Sequence, residues 1–295
     1  MGRVNLVERL KGEAEEQYRI FNQKFVVTNK NPMLGVKVPR MRTIAKEIAA
    51  GEWRVFLRGY GFCPGEFSPC GLETQCRVEL VQQCNVELVQ QCKEEGKLRD
   101  MREPVGKIKD KCSGVYFEEV MIIGMVINLA SMGQQERLAL VEQFVPLIDN
   151  WAVCDVFCGG AKWVGEPGRG PKASLRVPRE RVWKWLQGYL TGDKERGLSG
   201  REEFGIRFAV VMLMCYFLDE EYLPQVFQVL KKVHFGAYYV DMGVAWCLAT
   251  ARAKFDLPVQ EFVAAAGLPA GVVKKYEQKV RDSLRDKKNW RKTKI

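Results

Sequence analysis

The sequence has very little histidine and no long apolar run. His234 is the single histidine among the 295 residues, and it is remote from the cysteine-rich region that begins at Cys63. The longest uninterrupted apolar run, from Phe208 to Leu218, is much shorter than the roughly 20 residues that cross a bilayer. We therefore expect no membrane-spanning segment.

The ten cysteines lack the spacing of a metal site. Five of them lie close together in sequence: Cys63, Cys70, Cys76, Cys84 and Cys92. Structural zinc sites use cysteine pairs separated by roughly two to four residues, and none of these gaps is that short. The last three belong instead to a duplicated segment, CRVELVQQ followed by CNVELVQQ. We therefore predict neither a metal ion nor another cofactor.

We also expect no secretory signal. Residues Met1 to Asn5 are charged and mixed in character, where such a signal needs an apolar core. Thiols in the cytosol stay reduced. We accordingly expect a cytoplasmic protein that acts as a monomer, and we predict that Cys154 and Cys158 are small core-facing thiols on a helix.

The charge balance of the chain is strongly basic. The sequence has 46 Lys and Arg against 36 Asp and Glu, which gives a net charge of +10. A basic protein favours a polyanionic partner such as nucleic acid. A solvated basic surface with no such partner is the alternative that charge alone leaves open.

Apolar residues recur at helical spacing, and no convincing alternating strand pattern interrupts them. The predicted helices are 5–25, 40–50, 118–129, 134–144, 151–157, 179–189, 204–218, 223–233 and 238–255. This pattern predicts a single all-α domain over residues 1–295. Helix pairs that repeat at roughly 35 to 45 residues suit an α-solenoid of HEAT-like repeats with a concave, basic surface. A compact helical bundle is the alternative.

Three segments depart from this helical pattern. The first is a cysteine-rich insertion around 59–97, and the second is a glycine-rich loop at 159–172. That loop carries Lys162, Arg169 and Lys172, which suits contact with a phosphate backbone but is also ordinary in a mobile loop. It lacks the glycine spacing of a nucleotide-binding loop. The third is a basic tail at 285–295, which either adds non-specific affinity or is a solvated end.

Trp151 and Asp155 are the first candidates for chemistry. Asp149 or Asn150 is a plausible N-cap for a helix that begins at Trp151, so the indole and the Asp155 carboxylate would share one face near the helix N-terminus. The helix dipole would help keep Asp155 ionised. A tryptophan four residues before an aspartate on a helix is, however, more often a packing residue beside a solvent-facing carboxylate.

Arg207 is the only charge in the apolar segment from Phe204 to Phe217. A buried guanidinium needs a partner. Arg207 either reaches an anion such as a DNA phosphate or pairs with an internal carboxylate, for which Asp155 and Glu203 are the candidates.

Trp246 is the third candidate. It lies in the predicted helix 238–255 beside Gly243 and Ala245, whose small size lets another surface approach. A tryptophan in such a position most often packs in the core, and this is the default interpretation of Trp246.

Taken in order, these motifs resemble one family, the AlkD-like DNA alkylation repair proteins, which are HEAT-like helical glycosylases of bacteria. The similar segments cover most of the chain. They are 34–46 (LGVKVPRMRTIAK), 116–119 (YFEE), 148–155 (IDNWAVCD), 206–208 (IRF), 212–219 (MLMCYFLD) and 238–246 (YYVDMGVAW).

The resemblance implies a DNA repair enzyme that hydrolyses the N-glycosidic bond of cationic alkylated purines, N7-alkylguanine and N3-alkyladenine, in double-stranded DNA. Trp151, Asp155 and Trp246 match the family's catalytic positions, and Arg207 matches a DNA-binding position. In such a mechanism a carboxylate stabilises an oxocarbenium-like sugar and orients the attacking water. The resemblance also implies action from the backbone side of the lesion, without the base pocket that most glycosylases use.

Some features of the chain leave other readings open. Some family members have an arginine where this chain has Ala249, and many relatives with these motifs have no demonstrated excision. The second hypothesis is therefore a non-catalytic HEAT-like scaffold that binds nucleic acid or protein. Lys37, Lys162, Arg169 and Lys172 complete the predicted DNA-binding set in either case. A Schiff-base reaction through Lys162 is disfavoured because a glycine-rich loop indicates an exposed lysine.

Overall fold

The computed structural model describes residues 2–26, 31–64, 114–166, 175–191 and 203–292. The cysteine-rich insertion beyond residue 64 lies outside these ranges, as do Arg169 and Lys172 of the glycine-rich loop. Within the described ranges no helix is long and apolar enough to cross a membrane. No group of His, Cys, Asp or Glu side chains in the same ranges is arranged to hold a metal ion.

The described residues are all-helical, as predicted. They contain α-helices and the 3-10 turn Val145–Leu147, and their only bridge between extended residues joins Val164 to Val177. The helices are α1 Arg3–Gly12, α2 Glu16–Gln23, α3 Val38–Ala50, α4 Trp53–Arg58, α5 Phe117–Leu129, α6 Gln134–Phe144, α7 Trp151–Gly160, α8 Arg179–Thr191, α9 Glu203–Tyr216, α10 Leu223–Leu230, α11 Tyr238–Arg252, α12 Asp256–Ala265 and α13 Ala270–Lys292.

The long first helix predicted for 5–25 is two helices, α1 and α2. The chain leaves the helical path after Gly12, and the backbone N–H of Glu15 donates to the carbonyl of Gly35 at 3.1 Å. This tertiary hydrogen bond outweighs the local helical pattern. At the other end, α12 and α13 extend the fold beyond the last predicted helix, and α13 continues to Lys292 through most of the predicted basic tail.

Alternate helices contact one another in chain order. Helix α3 packs on α5, α5 on α7, α7 on α9, α9 on α11, and α11 on α13. We call these six helices the central row. Helices α4, α6, α8 and α12 lie outside the row and pack mainly on α3, α5, α9 and α11 respectively.

Two helices of the central row, α5 and α9, are buried on almost every side. Their sequences are apolar all round, and such a helix is covered by neighbours on every face. Gly124 lets α5 approach its neighbours, because a β-carbon there would lie 2.6 Å from Cζ of Phe144 and 3.1 Å from Cδ2 of Phe157. The rings of Phe144 and Phe157 are themselves in contact, with centroids 4.8 Å apart. This aromatic packing fixes α7 against α5.

Glu118 connects the two motifs nearest the amino terminus. It is fully buried, and its carboxylate accepts the backbone N–H groups of Leu34, Gly35 and Val36, the closest at 2.7 Å. Successive backbone N–H groups that converge in this way form an anion-binding concavity. Gly35 has φ of +98°, a conformation that glycine adopts without strain. Glu118 therefore fixes the loop that leads into Lys37 and α3.

Candidate functional site

The candidate site begins at the N-terminus of α7. Asn150 is extended, and its side-chain carbonyl accepts the backbone N–H of Val153 at 3.0 Å. Its amide group in turn donates to the carboxylate of Asp149 at 2.7 Å. Of the two N-caps that the sequence allows, the structure shows Asn150. Helix α7 consequently begins at Trp151, as predicted.

Asp155, one turn into α7, is held by Arg207 of α9. Nη2 of Arg207 lies 2.8 Å from Oδ2 and 3.0 Å from Oδ1 of Asp155, and Nε lies 3.2 Å from Oδ1. The side chains are only 6% and 16% exposed for Arg207 and Asp155. Of the partners that the sequence leaves open for Arg207, the structure therefore shows an internal carboxylate, and it is Asp155.

The first residues of α11 also hold Arg207 in place. Nη1 of Arg207 donates to the backbone carbonyl of Tyr239 at 3.0 Å, and the backbone N–H of Tyr239 donates to Glu203 at 2.6 Å. Gly243 lies above the guanidinium, because a β-carbon there would be 3.6 Å from Cγ of Arg207. The small residues of α11 therefore allow α9 and the side chain of Arg207 to pack closely against this helix.

Burial and charge act against each other on Asp155. Burial raises the pKa of Asp155, and the charges of Arg207 and Lys279 oppose that rise. Burial works to lower the pKa of Arg207, but the charge and hydrogen bonds of Asp155 outweigh it, so this pKa is raised. A guanidinium is therefore the permanent counterion of the carboxylate.

The two tryptophans lie on helices next to α9 in the central row, Trp151 on α7 and Trp246 on α11. Both indoles are half-buried. Nε1 of Trp151 donates to the backbone carbonyl of Phe25 at 3.0 Å, which ties the start of α7 to the end of the second helix of the chain. Trp246 is accompanied by Lys279 of α13, whose Nζ lies 6.0 Å from the ring centroid. The Trp151 indole is thus held through its N–H and Trp246 faces an ammonium, while part of each side chain remains accessible.

Lys279 is a site residue that the sequence reasoning missed. It lies between the last predicted helix, 238–255, and the predicted basic tail, 285–295, where no element is predicted from the sequence, whereas the structure has α13 there, packed on α11. Helical spacing gives the signal that could have found it, because Lys275 and Lys279 are one turn apart in a segment with apolar residues at Val272, Tyr276 and Val280. Lys275 pairs with Asp241 at 3.4 Å.

The other predicted DNA-binding lysines are at the surface. Lys37 is exposed and forms an ion pair with Glu15 at 2.8 Å. Lys162 is exposed in the turn after α7. Surface ion pairs of this kind contribute little to stability, so Lys37 can exchange Glu15 for another anion.

Cys154 and Cys158 are buried and face the core, as predicted. The thiol of Cys158 donates to the carbonyl of Phe208 at 3.7 Å, and burial raises its pKa. A thiol with a raised pKa has little of the thiolate form that acts as a nucleophile. Burial of both side chains makes Cys154 and Cys158 packing residues of α7.

Comparison with known proteins adds no relative. No protein-family model, no curated protein and no solved structure matches the chain. The fold and site define an all-helical protein in which a mostly buried aspartate-arginine pair joins α7 to α9. Helices α7 and α11 also carry the half-buried Trp151 and Trp246, and the charge of Lys279, which lies over the Trp246 ring, reaches Asp155.

Proposed function

We propose that the protein is a monofunctional DNA glycosylase. Its substrates are cationic alkylated purines, N7-alkylguanine and N3-alkyladenine, in double-stranded DNA, and the reaction is hydrolysis of the N-glycosidic bond. The observation that carries the proposal is the Asp155 carboxylate, which is held by Arg207 and still 16% exposed on the helix that carries Trp151. The motif order that resembles the AlkD-like family supports the same activity.

Excision of a cationic purine requires little acid catalysis from the protein. An alkylated purine already bears a positive charge, so it leaves readily as the glycosidic bond lengthens and the sugar acquires oxocarbenium character. A fixed carboxylate stabilises that charge and orients the attacking water. An ionised carboxylate offers about four acceptor positions. Arg207 fills two on Oδ1 and one on Oδ2, which leaves an acceptor position on Oδ2 for a water molecule.

The residues around Asp155 have complementary roles in this proposal. Trp151 and Trp246 present aromatic faces to the cationic sugar from α7 and α11. Arg207 keeps Asp155 ionised and oriented, because three of its hydrogen bonds end on that carboxylate. A side chain fixed before the substrate arrives needs no reorganisation during the reaction.

In this proposal DNA lies along the helices of the central row that carry the site. In an α-solenoid the helices stack in chain order, and the inner helices line a concave face. We extend the proposal to that shape. Trp151, Asp155, Arg207 and Trp246 lie on consecutive members of the row, and the net charge of +10 suits a phosphate backbone.

Release of methylated purine from alkylated duplex DNA tests the proposal. The purified wild type is expected to release 7-methylguanine or 3-methyladenine, whereas Asp155→Asn is expected to bind the same duplex without releasing base. Asp256→Asn is a matched control, because Asp256 lies on α12 and is 67% exposed. Thermal unfolding of both variants separates loss of chemistry from loss of fold.

Two results would contradict this function. Equal release by Asp155→Asn and the wild type would remove Asp155 from the reaction. Salt-sensitive DNA binding by a wild type that releases no base would instead identify a non-catalytic nucleic-acid-binding scaffold.

A further inference from the structure

Arg207 has few donors left for a DNA phosphate. A guanidinium has five N–H groups. Its Nε and Nη2 donate to Asp155, and Nη1 donates to the carbonyl of Tyr239. Because its side chain is only 6% exposed, Arg207 would have to release Asp155 before it could bind an external anion through two N–H groups. The site therefore calls for a second cation to meet the phosphate.

Lys279 has the position and the freedom for that role. Its half-buried side chain crosses from α13 towards α11, and Nζ lies 6.0 Å from the centroid of the Trp246 ring. Among the described residues it forms no ion pair or hydrogen bond. Lys275, one turn earlier on the same face, is already paired with Asp241 at 3.4 Å. Lys279 is thus the unpaired ammonium at this border of the site.

The surroundings of Lys279 favour an anion. An ammonium held against the face of an indole is partly desolvated and keeps its three donors for another partner. Its charge also reaches Asp155, since it works to lower the pKa of that carboxyl. The same ammonium is therefore close to Trp246 and electrostatically coupled to Asp155, the two groups between which the reacting nucleotide would lie.

We propose that Lys279 binds the DNA phosphate beside the reacting nucleotide, while Arg207 serves as the fixed counterion of Asp155. The proposal rests on the proposed function for the identity of that nucleotide. A lysine binds phosphate as a point charge and tolerates a range of approach directions. Trp246 then has a second task, which is to hold the ammonium of Lys279 at the site.

Affinity for a duplex that contains a tetrahydrofuran abasic analogue tests Lys279 without requiring excision. Lys279→Met removes the charge and keeps an apolar stem of similar length, whereas Lys279→Arg restores the charge. Lys274→Met is the matched control, because Lys274 is exposed on the same helix and forms no ion pair among the described residues. Titrations at several salt concentrations give both the dissociation constant and its salt dependence.

We expect Lys279→Met to weaken binding about tenfold at low salt and to reduce the slope of log K against log salt by about one phosphate contact. Lys279→Arg is expected to restore most of both quantities. Lys274→Met is expected to change the slope much less. Lys279→Met is also expected to shift the acidic limb of the excision rate to higher pH, because the charge that works to lower the pKa of Asp155 is gone.

The outcomes separate this proposal from the glycosylase function. A wild type that releases no base, together with a reduced salt slope in Lys279→Met alone, supports the phosphate contact and contradicts the glycosylase. An unchanged slope in Lys279→Met overturns the phosphate contact whether or not base is released. Equal losses in the Lys279 and Lys274 variants also overturn it, because they show an effect of net charge alone.

Discussion

Replacing Arg207 with methionine tests whether this residue serves chiefly as the counterion of Asp155. The substitution preserves much of the apolar volume between α9 and α11 and removes the guanidinium. It leaves Asp155 with a side chain only 16% exposed and without its hydrogen-bonded counterion. The backbone carbonyl of Tyr239 also loses its donor.

Loss of one member of a buried ion pair destabilises a protein by about 3 to 5 kcal/mol, because the remaining charge is uncompensated. We expect about 3 kcal/mol at pH 8, the lower end, since water still reaches part of Asp155. The pKa of Asp155, already raised by burial, should rise further without Arg207. A carboxyl whose pKa is higher in the folded than in the unfolded protein stabilises the fold at low pH, and this contribution is lost as the pH rises through the folded value. Arg207→Met should therefore be less destabilising at pH 5 than at pH 8.

Urea unfolding of four proteins measures this coupling: the wild type, Arg207→Met, Asp155→Asn and the double variant. The double variant has no unpaired charge, so it should be more stable at pH 8 than the sum of the single effects predicts, by at least about 1 kcal/mol. Additive effects at pH 8, or a loss in Arg207→Met that is independent of pH, would refute the counterion role.

The remaining predictions concern the scaffold behind the site. Glu118→Gln should lower the free energy of unfolding by about 2 to 4 kcal/mol, because an amide replaces a buried carboxylate that accepts three backbone N–H groups. The exposed Glu261→Gln should change it by less than about 0.5 kcal/mol, and similar values for both in urea titrations would show that the loop does not depend on the buried charge. Gly124→Ala should cost about 1 to 3 kcal/mol through its clash with Phe144, and a thermal midpoint equal to that of the wild type would disprove the close packing of α5.

Local signals in the sequence were enough to predict the start of α7 and to limit the possible partners of Arg207. Asn150 is a good N-cap, and helical spacing places Asp155 one turn after Trp151, so the start of α7 follows from short-range chemistry. A single charge in an apolar helix implies an internal or external anion, and that reasoning reduced the partners of Arg207 to a short list that contained Asp155.

Features that depend on distant parts of the chain could not be predicted in the same way. The break between α1 and α2 depends on the hydrogen bond from Glu15 to Gly35, which forms only in the folded protein. The approach of Lys279 to Trp246 depends on how α13 packs against α11, and no local pattern reports the angle between two helices. Glu118 belongs to the segment 116–119, but its role depends on the loop at Leu34 to Val36, which it reaches only in the folded protein.

The rate of base release in a single turnover tests the central claim most directly. The enzyme is in excess over duplex DNA that carries N7-methylguanine, and we predict that the wild type releases the base. The rate for Asp155→Asn should be lower by a factor of at least about 100, because removal of one preorganised electrostatic group commonly has an effect of that size. Both proteins should bind the duplex. Release at the same rate by both proteins, or no release above the spontaneous rate by the wild type, would contradict the assignment of Asp155 as the catalytic carboxylate of a DNA glycosylase.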